Sequence, residues 1–200
     1  APFTKLMLEH ELLQLLFPQL SSELTGPKGA EMMRFLEACD HENKKASNYP
    51  IERPVLVAAL LYPLLEQEVR KFQSGSGQKC SFGDIMNLTY ELIRQQVVGS
   101  FSHFPKRISI VTSYALSQQF RLLPLEEKKQ HTVRLFKIRE FPQALRLLKL
   151  RSLVYPQLKD LYLSWREHYR HYLENNDHPG QAQVDSGRHR RRRRSASRRR

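Results

Sequence analysis

The residues with the plainest chemical meaning are nine arginines at the C-terminus: Arg188, Arg190, Arg191, Arg192, Arg193, Arg194, Arg198, Arg199 and Arg200. Guanidinium groups stay charged at any physiological pH and grip phosphate with paired hydrogen bonds. A run of them draws in nucleic acid by releasing counterions, without reading sequence. A solubilising tail, or one that touches anionic lipid or acidic protein, would have the same composition. A second signal lies further upstream. Lys106, Ser109, Ser113, Ser117 and Arg121 recur at spacings of three and four, so they share one face of a helix. Small hydroxyls between two cations would let a sugar-phosphate backbone come close, and they would equally suit close helix–helix packing. Lys128, Lys129, Arg134, Lys137, Arg139, Arg146, Lys149 and Arg151 follow, opposed only by Glu126, Glu127 and Glu140. That excess points to a phosphate-facing surface. Finally Tyr162, Trp165, Tyr169 and Tyr172 alternate with Arg166, His168, Arg170 and His171. Aromatic rings stack on unpaired bases while arginines hold the phosphates. Leu158, Leu161, Trp165 and Tyr172 also fit a core-facing stripe, which assigns Trp165 to the core and leaves Tyr169 for exposure.

Catalytic chemistry has no comparable signal. The aspartates are Asp40, Asp84, Asp160, Asp177 and Asp185, and no two stand two residues apart. Metal-assisted phosphoryl transfer needs clustered carboxylates. Gly75-Ser76-Gly77 lacks the lysine of a phosphate-binding loop and reads as a linker. His168 and His171 are one turn apart, but no third ligand has matching spacing. No catalytic residue and no metal ligand is assigned.

The elements that must position these residues read as helices throughout. The proposed spans are 4–17, 28–42, 54–72, 82–98, 105–121, 124–138, 142–154 and 156–174. Pro54, Pro105, Pro124, Pro142 and Pro156 stand at or beside five of the starts, where a missing N–H costs nothing. Pro63 should kink the third helix. Residues 73–78 read as a flexible loop, and Ser81 with Asp84 as an N-terminal cap. No alternating run argues for a strand. Apolar residues nearly vanish after Asn175, so the remainder should be disordered. The expected fold is therefore all-α: an irregular body of about eight helices, then a disordered basic tail. The expected divisions are 1–100, a helical body; 101–174, a basic RNA-binding segment; and 175–200, the tail.

Composition sets the limits. The chain has 200 residues, 40% hydrophobic and 26% charged, a globular balance. Its formal net charge is +13 and its pI about 10.0, which favours an acidic partner. The charge is uneven. Residues 1–100 carry 10 Lys/Arg against 12 Asp/Glu, residues 101–187 carry 14 against 8, and residues 188–200 carry 9 arginines and no acid. No apolar run is long enough to span a bilayer, so no membrane is expected. Glu9 and Glu11 interrupt the first apolar stretch, unlike a signal peptide. Cys39 and Cys80 make neither a metal motif nor a disulfide scaffold, and a cytoplasmic setting is the expectation. The chain begins Ala-Pro-Phe, which reads as a processed chain or a piece of a longer one.

Several segments resemble the helical body of bacterial poly(A) polymerases, in the nucleotidyltransferase superfamily that also holds the CCA-adding enzymes. They are Glu9-His10-Glu11-Leu12-Leu13 leading into Leu16-Phe17-Pro18; Arg53 to Glu66 with its Tyr62-Pro63-Leu64-Leu65-Glu66 end; Pro105-Lys106-Arg107-Ile108; Phe141 to Arg151; Trp165; and the arginine-rich end. Their order and spacing match over nearly the whole chain. The family's catalytic head, with its Gly-Ser motif and paired aspartates, and its ATP-recognising neck have no counterpart here. The resemblance implies a body that holds RNA (single-stranded 3′ ends of mRNA or tRNA-like molecules) for adenylation by a head outside this chain. ATP and Mg²⁺ would belong to that parent enzyme, and no cofactor is expected in this chain. Only Lys106, Arg107 and residues 188–200 carry over from the family's basic positions. The alternative is a helical protein-interaction module that docks to an RNA-decay or helicase partner.

Overall fold

The computed structural model describes residues 1–45, 50–77, 79–100, 104–122 and 132–176. Within them the chain is all-α, with ten α-helices and no strand. They are α1 (Pro2–Glu9), α2 (Leu12–Leu16), α3 (Pro18–Thr25), α4 (Gly29–Lys45), α5 (Arg53–Ser76), α6 (Phe82–Gln96), α7 (Lys106–Gln118), α8 (Thr132–Phe136), α9 (Phe141–Val154) and α10 (Lys159–Asn176). Lys128, Lys129, residues 177–200 and with them every tail arginine lie outside the described residues.

Helix α5 is the axis of the body. It packs against α4, α6, α7 and α9. Val55, Ala58, Ala59, Leu61, Tyr62, Leu64, Leu65 and Val69 are all buried along it. This width of apolar surface explains its length: neighbours on several sides reward every turn with buried area. The helix runs on through Pro63, and it also absorbs residues 73–76, which the sequence reads as a loop. Ser74 Oγ donates to the Arg70 carbonyl, and Gly77 then stops the helix with φ of 64° and an N–H bond to Gln73 O. A glycine suits that left-handed position because it has no Cβ to clash.

The N-terminal helix proposed over 4–17 is instead α1 and α2, broken at His10-Glu11, where Glu11 has φ of 56°. Leu13 is buried beyond the break, while Met7 and Leu8 pack on the same core before it. Tertiary contact overrides local helix propensity here. Gly29 shows how tightly the next segment is joined. A Cβ on it would stand 1.8 Å from the Leu24 carbonyl oxygen. Gly29→Ala is expected to destabilise the fold by roughly 3 kcal/mol, read from urea unfolding, because backbone cannot yield as a side chain can. The start of α6 matches its reading. Asp84 N–H donates to Ser81 Oγ at 3.2 Å, and Ser81 N–H donates to Asp84 Oδ2 at 2.9 Å, a capping box.

The main core draws from both sides of residue 100. It runs from Leu13 to Val97 and continues through Ala115, Leu116, Leu147 and Leu150. A second cluster joins Leu122, Leu135, Phe136, Phe141, Leu145, Leu148 and Trp165. Helix α9 serves both. Leu147 and Leu150 face the first, and Phe141, Leu145 and Leu148, at spacings of four and three, face the second. Trp165 is 1% exposed, in the core as the stripe argument expects.

A polar network crosses this core. Gln119 Nε2 donates to the carbonyls of Ala115 at 2.8 Å and Ala144 at 2.9 Å, and Arg151 Nη1 donates to Gln119 Oε1 at 3.2 Å. The Arg151 guanidinium carbon sits 4.4 Å from the Tyr62 ring centroid. Nearby, Tyr155 OH and Lys28 Nζ both donate to Glu31. Burial works against ionisation of Glu31, yet these two bonds hold its pKa below the ordinary 4.5. A depressed carboxyl stabilises the fold above its unfolded pKa, and that stabilisation is lost as pH falls through the folded pKa. Glu31→Gln should therefore flatten the acid limb of the stability–pH curve below about pH 4.5, as read by urea midpoints.

Candidate nucleic-acid interface

Three of the basic candidates converge. Lys106, Arg107, Ile110 and Val111 on α7 face Arg139, Glu140 and Gln143 at the start of α9, with Glu52 closing the groove from the start of α5. The groove encloses about 600 Å³. Local sequence sets each side. Pro105 is the N-cap of α7, so Lys106 and Arg107 fall in its first, exposed turn. Phe141, fully buried, anchors the first turn of α9 and leaves Arg139 and Glu140 on the lip.

The electrostatics are cationic with a fixed acidic margin. Among the described residues no carboxylate pairs with Lys106, Arg107 or Arg139. The N-cap of α7 is the uncharged Pro105, so the positive end of that helix adds to the field, whereas Glu52 and Glu140 at the N-caps of α5 and α9 offset theirs. Glu52 is already engaged, accepting from Gln143 Nε2 at 3.0 Å and pairing with Arg146 at 3.4 Å. One turn beyond Ile110, the Tyr114 phenol is pushed up to about 12 by burial, with Arg121 lowering it and Glu140 raising it. Such a groove can hold an anion on its cations and lay an apolar group on Ile110, which is 56% exposed.

The remaining candidates are scattered. Arg146 is spent on Glu52, and Lys149 on the mostly buried Glu42. Arg151 belongs to the core network, not to a phosphate surface. Arg121 lies just past α7 with its guanidinium carbon 4.7 Å from the Phe82 ring centroid. The hydroxyl strip of α7 does not face solvent as a unit, because Ser117 is 2% exposed and donates to the Tyr114 carbonyl. Packing against α5 explains it, and Thr112, also buried, donates to the Pro54 carbonyl at 3.1 Å. Arg134 and Lys137 are exposed at α8, and Arg166 and Arg170 are exposed on α10. Arg170 pairs with Glu167 and Glu174. Tyr169 is not free as the spacing argument expects; it is half-buried, 5.0 Å from Phe141 and 5.5 Å from Phe136 by ring centroids.

Sequence reasoning missed Glu52, Gln143 and Ile110. The Glu52–Gln143 bond joins residues 91 apart, and no local pattern marks it. His168 Nδ1 lies 2.8 Å from the Ser164 carbonyl, and His171 sits between Glu167 and Glu174. Among the described residues no three His, Cys, Asp or Glu side chains form a metal-holding group. Among them, too, no helix is long and apolar enough to cross a membrane. Cys39 and Cys80 are unpaired, and burial pushes the Cys39 thiol up to about 12. No family model, no curated protein and no solved structure matches the chain.

Proposed function

We propose that this chain is the RNA-holding portion of a poly(A) polymerase of the bacterial type. It would bind RNA near the 3′ end, in the cytoplasm, for adenylation by a catalytic head outside these residues. ATP and Mg²⁺ would act in that head. The observation that carries the reading is the groove, where Lys106 and Arg107 meet Arg139 across a gap in sequence, none of the three in an ion pair among the described residues, although Glu52 and Glu140 also line it. Lys106 and Arg107 are also the positions that match the family's Pro-Lys-Arg helix start. The tail arginines would raise the local RNA concentration around the groove.

The test is fluorescence anisotropy of a labelled single-stranded RNA over a salt series, with residues 1–200 and 1–187. For single strands log K falls with log salt by roughly 0.7 per phosphate neutralised. Both proteins should bind, the shorter with a shallower but nonzero slope. If all affinity leaves with the tail, the helices do not hold RNA and the reading fails.

One observation favours a second reading, a protein-docking module. Phe3, Leu6, Leu12, Leu15 and Leu16 are all exposed on α1 and α2, Phe3 by 82% and Leu15 by 79%. Contiguous exposed apolar surface marks interaction sites. Under this reading, capture of RNA-decay proteins should survive nuclease treatment and be lost with Phe3→Ser and Leu15→Ser together.

A further inference from the structure

We propose that one edge of α10, with Tyr162, Arg166 and Tyr169 in register, is a stacking surface for unpaired bases. It rests on the RNA reading above and adds to it a requirement for single strands. The positions 162, 166, 169 and 173 recur at spacings of four, three and four, which places them on one stripe. The stripe lies at the margin of the core face, where Tyr162 and Tyr169 pack against the second cluster and stay partly exposed. Trp165, 1% exposed, fills the second cluster with Phe136 and Phe141, whereas Tyr162 and Tyr169 are half-buried and Leu173 is 40% exposed.

The ring arrangement is more than a hydrophobic margin needs. Phe136 and Phe141 brace the ring of Tyr169 from below, at 5.5 and 5.0 Å between centroids. Tyr172 lies nearly parallel to Tyr169, at 15° and 6.4 Å. Among the described residues neither the Tyr162 nor the Tyr169 hydroxyl has a hydrogen-bond partner. A leucine at either place would close the cluster, while a tyrosine adds a rigid, partly exposed aromatic face. The charge around the rings complements a nucleic-acid backbone. Arg166 lies over the Tyr162 ring at 5.8 Å, and no described carboxylate pairs with it. Arg134 on α8 and Lys137 just past its end stand on either side of Phe136 in sequence, exposed and likewise without an ion pair among the described residues. Aromatic faces take bases of any sequence, provided the bases are not already stacked in a duplex. Cations at the same edge hold the phosphates between them.

The test compares three labelled ligands at one low salt concentration, using the full chain: a short single-stranded RNA, the same backbone with every base removed, and a duplex of equal length. Phosphate contact alone cannot tell the first from the second. The base-containing strand should bind about tenfold more tightly than the abasic one. Tyr162→Leu with Tyr169→Leu should close that gap, while Tyr162→Phe with Tyr169→Phe should keep it, since the phenyl face remains. Equal binding of the two single strands by the unmodified chain would overturn the stacking surface and leave the groove reading standing. A gap that persists in the folded leucine variant would overturn the surface too. If no ligand binds, the RNA reading falls and this proposal with it.

Discussion

Phe141→Ala is expected to lower the unfolding free energy by about 3–5 kcal/mol. The ring is fully buried, with Phe136 at 5.1 Å and Tyr169 at 5.0 Å between centroids. Removing it leaves a cavity in the second cluster, where the rings of Phe136, Trp165 and Tyr169 are too rigid to collapse into it. A domain of this size is stable by only about 5–15 kcal/mol, so the loss is a large share of the whole. The groove should suffer as well. Phe141 is the first residue of α9, and Arg139 and Glu140 take their positions from it. Urea unfolding followed by far-ultraviolet circular dichroism measures the first effect. Phe141→Leu keeps most of the volume and should cost less than about 1.5 kcal/mol. Equal losses for the two variants would contradict the packing argument.

Lys106→Ala, Arg107→Ala and Arg139→Ala combined should reduce the salt dependence of RNA binding by about two in the log–log slope. Each of the three cations faces the groove with no ion pair among the described residues, so each is available to displace a counterion. Affinity at low salt should fall about a hundredfold, with unchanged stability, since all three side chains are exposed. Arg146 and Lys149 are the contrast. They lie on the same helix as Gln143 and carry the same charge, but Glu52 and Glu42 already hold them. Lys149→Ala should therefore leave the slope nearly unchanged and cost some stability, because Glu42 is left mostly buried without its partner. If Lys149→Ala lowered the slope as much per charge as the groove substitutions, the groove would have no special place in binding.

These two expectations rest on different kinds of information. The type of nearly every element was legible in the chain. Helical periodicity, prolines at helix starts, and the Ser81–Asp84 cap are local properties, set within a few residues. Trp165 was assignable to the core because its stripe of apolar neighbours repeats at helical spacing. The arginine excess was legible too, since charge is counted and not folded. Boundaries were harder. Residues 73–76 look like a linker in composition, yet α5 carries them, because a helix packed along its length extends beyond what its own residues prefer. The break at Glu11 follows from the need to bury Leu13, and no residue near it announces a turn.

The use of each cation was decided only in three dimensions. Lys106, Arg107, Arg139, Arg146, Lys149 and Arg151 look alike as a list of charges. Folding gives Arg151 to Gln119 and the Tyr62 ring, Lys149 to Glu42, and Arg146 to Glu52. The partners lie far off in the chain, Glu42 being 107 residues from Lys149. The physical reason is range: helix periodicity is local and survives any packing, whereas a charge is free or spent according to which distant carboxylate the fold brings within about 4 Å of it. By itself the sequence determined that this is a helical protein with a basic second half. The tertiary structure alone decided which of those basic side chains remain open to a ligand.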